Sequence, residues 1–213
     1  MSTQLLWRAT LETLYMTGVA TLLAHLVGIP MGVLLVVTDR GHVLERRWLH
    51  EVLAAVVNIG RSVPFIILLV AIIPFTRWVV GTSIGTSAAM VPLTVAAIPF
   101  VARLVETALR EVDPGVVEAA LSMGATPWQI VTRVLLPEAL PSLALGAAIT
   151  AVSVLGYSAM AGAVGGGGLG DLAVRYGYQR FRTDVMIQTV VLLVILVQAI
   201  QAAGDAAARR LRH

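Results

Sequence analysis

The chain has 213 residues, 58% hydrophobic and 13% charged, a balance outside that of a soluble globular domain and suited to a bilayer as solvent. Its formal charge of +3 arises from 15 basic side chains, every one Arg, against 12 acidic ones; the Arg residues are scattered between apolar runs instead of lining one face, which argues against a nucleic-acid surface. With no Cys and no Lys, a disulfide framework, a Cys-ligated zinc site, a thiol nucleophile and the phosphate loop G-x-x-x-x-G-K-[ST] of the usual ATP site are all excluded.

Residues 1–12 hold one Arg and no small-residue cleavage site after the first apolar run, so the first long segment is expected to remain as an anchor. A spanning helix needs about 20 mostly apolar residues, and five such windows follow in chain order. The first covers 14–37 and contains Gly28 and Gly32, a small-xxx-small pair that lets helices approach closely. The second lies within 52–75, the third within 87–109, the fourth within 143–164 and the fifth within 184–208. The expected fold is therefore an all-α membrane protein, with about five transmembrane helices in one domain over 1–213 and a core of about 10–208. Arg40, Arg46, Arg47, Arg110, Arg133, Arg209, Arg210 and Arg212 gather at one end of these spans, against Arg8, Arg77, Arg175, Arg180 and Arg182 at the other. The bias puts the loops 38–51 and 110–137 and the C-terminus in the cytoplasm and the N-terminus outside.

The loop 110–137 carries explicit helix signals. Asp113-Pro114 reads as an N-cap with proline at the first helical position, and Gly124 suits a left-handed C-terminal cap. Thr126-Pro127-Trp128-Gln129 restarts the chain with capping-box spacing, predicting a second helix that ends at Leu136, before Pro137. Val116, Val117, Ala120 and Leu121 can share one face of the first helix, and Ile130, Val131, Val134 and Leu135 one face of the second.

Glu118-Ala119-Ala120, three residues, Gly124, nine residues, Val134, one residue, then Leu136-Pro137 resembles the EAA motif of ABC importer permeases, altered only in having Val134 where the pattern has isoleucine. The resemblance implies that this loop is the coupling helix gripped by a separate ATPase subunit. Glu118 would then be the polar contact, Ala119 and Ala120 would permit close approach, and Gly124 would turn the chain. Stretches 58–69 (NIGRSVPFIILL), 73–77 (IPFTR), 81–85 (GTSIG) and 156–164 (GYSAMAGAV) make the chain similar to the methionine importer permeases in particular. That family implies a multi-pass protein of the bacterial inner membrane, two copies of the chain, two nucleotide-binding ATPase subunits and a periplasmic methionine-binding lipoprotein, with no catalysis and no cofactor in this chain. ATP and magnesium would be bound by the ATPase, which agrees with the missing Lys.

Polar residues within the spans are candidates for function, since an Arg at membrane depth costs about 2.5–3.5 kcal/mol on insertion scales. They are Asn58, Arg61, Arg103 and Glu106. A direct role on the substrate path stands beside a plainer one, in which Arg61 faces the cytoplasm and Arg103 snorkels near its helix end with Glu106 as partner. Tyr157, Ser158 and Met160, read as midway along the fourth span, suit either a gate for a thioether substrate or ordinary packing. Residues 165–170 match G-x-G-x-x-G formally but follow a membrane span, which points to a flexible or tightly turned external segment and not to a nucleotide site. His25, His42, His50 and His213 are too scattered for a metal site. A self-contained secondary transporter would use the same bundle, but the inverted repeats that favour it are not visible; a membrane enzyme lacks any paired acid and base.

Overall fold

The computed structural model describes residues 3–211; Arg212 and His213 lie outside them. The helices are α1 (Thr3–Val37), α2 (Arg47–Ser62), α3 (Phe65–Ala71), α4 (Ile73–Val80), α5 (Thr86–Arg110), α6 (Pro114–Ser122), α7 (Pro127–Ile130), α8 (Leu136–Ala163), α9 (Gly168–Leu172) and α10 (Thr183–Leu211), with π turns at Val131–Leu135 and Ala173–Tyr178. Four of them, α1, α5, α8 and α10, are by themselves long and apolar enough to cross a membrane. α1 starts well before residue 14: Ala9, with Leu5 and Leu6, packs against Leu169, Leu172 and Val185, and the charges that mask this segment in hydropathy, Arg8 and Glu12, pair one turn apart at 3.1 Å.

The second expected span is not one helix. α2 and α3 qualify as a span only together, and they are bent by 100° at their junction. Pro64 is the cause: it lacks an N–H for the helical ladder and holds Val63 in extended backbone, at φ −83° and ψ 121°. The expected end of the loop helix before Pro137 is also corrected. α7 runs through the π turn straight into α8, where the Leu136 N–H reaches back five residues to the Val131 carbonyl. Pro137, having no N–H to place, follows that wide turn without a break.

Close glycine contacts set the bundle. A Cβ on Gly28 would lie 2.7 Å from Val101 Cβ, and one on Gly32 would lie 2.6 Å from the Ala102 carbonyl oxygen. The small-xxx-small pair thus seats α1 on α5. α2 rests on the same helix, with Gly60 against Pro99 at 3.0 Å and Leu35, Val57 and Ala102 buried together. The main core joins α1, α5, α7 and α8 through Met16, Leu93, Val101, Ile130 and Val154. Outward apolar residues such as Leu22, Leu26, Ile67 and Val194 make the remaining surface suited to lipid.

Candidate functional site

The helix α6 projects from the Arg-rich end of the bundle and is fixed at both termini. Its first turn is capped by Asp113, whose Oδ1 accepts from the Gly115 N–H at 2.8 Å. At its other end Gly124 takes φ +79°, its N–H bonds to the Leu121 carbonyl at 2.9 Å, and the Ala125 N–H bonds to the Ala120 carbonyl at 3.1 Å. Those two bonds form a Schellman cap. α7 then begins with a reciprocal pair: Thr126 Oγ1 accepts from the Gln129 N–H at 3.3 Å, and Gln129 Oε1 accepts from the Thr126 N–H at 2.9 Å.

Burial divides the predicted face of α6. Val117 and Ala120 turn inward, Ala120 joining the core with Ile130, Val131 and Leu135, whereas Val116 and Leu121 face out beside Glu118 and Ala119. The inward strip of so short a helix is narrow, so Ala120 packs against its own chain. Met123 at 82% and Trp128 at 74% exposure, with Val116 and Leu121, leave apolar surface exposed on α6 and the turn after it, the same segment that exposes Glu118, though not all of it on one side of the helix. Sequence reasoning missed this exposed surface, although Met and Trp beside the turn at Gly124 were a readable signal. Leu136 is half-buried and Pro137 exposed at the start of α8.

The polar residues of the spans form a connected chain at the same end. Arg103 donates to Glu106 Oε2 at 2.7 Å and to Asn58 Oδ1 on α2 at 2.5 Å. Arg110 donates to Glu106 Oε1 through Nε at 3.2 Å and Nη2 at 3.1 Å, and to Asp39 Oδ2 at 2.6 Å. His50 gives its Nδ1–H to the Leu35 carbonyl at 2.9 Å and places Nε2 3.8 Å from Asp39 Oδ1. The Arg110 side chain, aided by the Arg40 N–H, holds the Asp39 carboxyl below its ordinary value. The expected Arg103–Glu106 pair is thus present, while Arg61 stands exposed on α2 with no ion pair among the described residues. Asp39, His50 and Arg110 were not anticipated; the Glu106–Arg110 spacing of one turn could have found the last.

Tyr157, Ser158 and Met160 lie in the last two turns of α8, nearer the end remote from α6 than the middle of the span. Tyr157 stacks on Phe65 of α3 at 4.8 Å, joining the bent pair to α8. Ser158 is buried and donates to the Leu155 carbonyl at 2.7 Å, whereas Met160 is half exposed. Of the two forms expected for the glycine-rich segment beyond, flexible or tightly turned, the structure has the second, with Gly165, Gly167 and Gly168 at positive φ and the turn held by hydrogen bonds. The Gly168 N–H bonds to Glu12 Oε2 at 3.0 Å, the Leu169 N–H bonds to Thr13 Oγ1 at 2.8 Å, and the Gly165 carbonyl accepts from Gly85 at 2.9 Å.

Comparison with known proteins bears on the whole chain. Residues 26–213 match the family described as binding-protein-dependent transport system inner membrane component. A probable D-methionine transport system permease protein of Vibrio cholerae serotype O1 is 57% identical over all of this chain and 95% of its own. A methionine import system permease protein of Bacillus subtilis is 48% identical over 94% of this chain and 90% of its own. Among solved structures, the MetNI methionine ABC transporter in an inward-facing conformation superposes with a TM-score of 0.98 at 54% identity, covering both chains fully. A doubly capped helix at the Arg-rich end of an apolar bundle accords with these matches, and the chain belongs to the family of binding-protein-dependent transport system inner membrane components.

Proposed function

We propose that this chain is the pore-forming permease of an ATP-driven methionine importer, acting as a pair of copies with two separate ATPase subunits and a periplasmic binding lipoprotein. The observation that carries the reading is α6: a helix of nine residues, too short to be stable alone, is capped at both ends and leaves Glu118, Val116 and Leu121 exposed. Four large apolar side chains exposed within thirteen residues, Val116, Leu121, Met123 and Trp128, are the kind of surface that a partner covers. The ATPase would bind ATP and magnesium; this chain would supply the path and the lever. Apolar residues left outward on α2 and α3, among them Val56, Ile59 and Ile67, suit contact with a second copy or lipid. The names of its relatives support methionine as cargo, and the likeness to an inward-facing conformation supports the same state here.

The test is reconstitution of the permease, its ATPase and its binding protein in vesicles, with uptake of labelled L- and D-methionine measured with and without ATP. Uptake that requires ATP and the binding protein is expected. Trp128→Ala should weaken ATPase binding by about 2 kcal/mol, the size of an aromatic hot spot, while leaving the thermal stability of the isolated permease unchanged. Methionine movement by the permease alone would overturn the reading.

A further inference from the structure

The polar chain from Asp39 to Asn58 joins three elements at the α6 end. Its acids and guanidinium groups, Asp39, Glu106, Arg103 and Arg110, sum to zero charge, and Asn58 ends it with an amide. Glu106 sits at the centre, 5% exposed, and accepts from both Arg side chains. A buried carboxylate held from two sides cannot lose either partner cheaply. Arg110 is the last residue of α5, and three residues on stands Asp113, the cap of α6. The intervening Glu111 accepts from Ser142 Oγ of α8 at 3.0 Å, so the short connection is itself tied down. At the far end of the chain, Asn58 lies one turn before Ser62, where α2 gives way to the 100° bend into α3.

Apolar helix contacts such as Gly60 on Pro99 permit sliding, which is how packed helices shear past one another. Directional hydrogen bonds from forked guanidinium groups fix register as well as distance. We propose that the Asp39–Arg110–Glu106–Arg103–Asn58 chain is the link that carries displacement of α6 to the α2–α3 bend, its members acting as positioning residues for transport. The proposal rests on the reading of α6 as the ATPase contact and adds the route by which that contact reaches the membrane path.

The absence of native Cys allows a clean test. Asn58→Cys and Arg103→Cys are introduced together, and the permease is reconstituted with its ATPase and binding protein either untreated or after cross-linking by a short bis-maleimide. Methionine taken up per ATP hydrolysed is the readout. Untreated, the double variant should continue to hydrolyse ATP while uptake per ATP falls about tenfold; cross-linking should restore the ratio. Asn58→Asp, which keeps an acceptor for Arg103, should couple like the parent. An unchanged ratio in the untreated double variant overturns the link, as does a parallel loss of hydrolysis and uptake that cross-linking leaves in place, or uncoupling by Asn58→Asp. A parent complex in which the permease does not stimulate the ATPase removes the reading of α6 and the link with it. A coupled parent beside equally coupled variants removes the link alone.

Discussion

Gly124 offers the sharpest test of whether α6 works by being stiff. The residue sits at φ +79°, and a Cβ built there meets nothing within 4 Å, so Gly124→Ala adds no clash and its cost is conformational alone. Holding an L-residue in the left-handed region costs roughly 1–2 kcal/mol. The two hydrogen bonds of the cap depend on that conformation, and a nine-residue helix has little intrinsic stability to spare. The expected outcome is a population of uncapped α6 raised by about five- to thirtyfold. Hydrogen exchange of the amides from Val116 to Ala125 should quicken by that factor, while the amides of α5 and α8 keep their protection. Gly124→Asn, which tolerates the left-handed region better, should fall between Gly and Ala, and Gly124→Val should exceed both. Uptake of methionine per ATP in the reconstituted complex should follow the same order. Unaltered exchange in Gly124→Ala, or altered exchange with unaltered uptake per ATP, would refute the link between stiffness and coupling.

Three further outcomes follow from named contacts. Gly32→Ala brings a Cβ to 2.6 Å from the Ala102 carbonyl oxygen, so thermal unfolding in detergent should show a loss of about 1–3 kcal/mol; Gly18→Ala, with open space around it, should be neutral or gain up to about 1 kcal/mol. Glu12→Ala removes the acceptor of the Gly168 N–H and should raise exchange or proteolysis in residues 165–172, whereas Glu12→Gln, which keeps an oxygen there, should do so less. The Asp39 carboxyl is held below its ordinary value of 3.8 by Arg110 first and the Arg40 N–H next, against a desolvation that opposes them. Its stabilisation is therefore present above pH 3.8 and lost as pH falls through the depressed value. The difference in melting temperature between the parent and Asp39→Asn should accordingly be steady near neutrality and vanish in acid; a difference that persists at the lowest pH counts against the Asp39–Arg110 pair.

Local features were the legible ones. The caps of α6 and α7 appear in the structure as their residues required, because Asp113, Gly124 and Thr126 act on neighbours within a few positions. The same holds for Arg103–Glu106, one turn apart, and for Gly28 and Gly32, whose spacing defines one helix face. Hydropathy located the spans but carries no angle, so the apolar run 52–75 concealed the bend at Pro64 even though the proline was in view. Pro137 misled in the opposite direction, since a π turn before it absorbs the missing N–H. Asp39 and Arg110 are 71 positions apart, and Glu12 and Gly168 156 apart. No periodicity joins such pairs; only the docking of α1 on α5, and of α1 on α9, brings them together.

That docking also decides which part of the bundle is free to move. α1, α5 and the first half of the bent pair are locked by contacts that tolerate no added methyl group at Gly28 or Gly32 and by the ionic chain ending on Asn58. Beyond Pro64 the attachment changes character. α3 is held by the Phe65–Tyr157 stack and by apolar side chains, with no hydrogen bond from a side chain crossing to α5 or α8 among the described residues. An apolar seam of that kind can shift by small sliding steps at little cost. Displacement arriving through α5 would therefore be carried rigidly as far as Ser62 and released as rotation at Val63-Pro64, which places the moving surface on α3 and on the end of α8 that bears Tyr157, Ser158 and Met160. The conformational freedom needed for alternating access would reside in the bend that proline makes, while the contacts before it, at Gly28, Gly32 and Asn58, would keep motion from dissipating elsewhere.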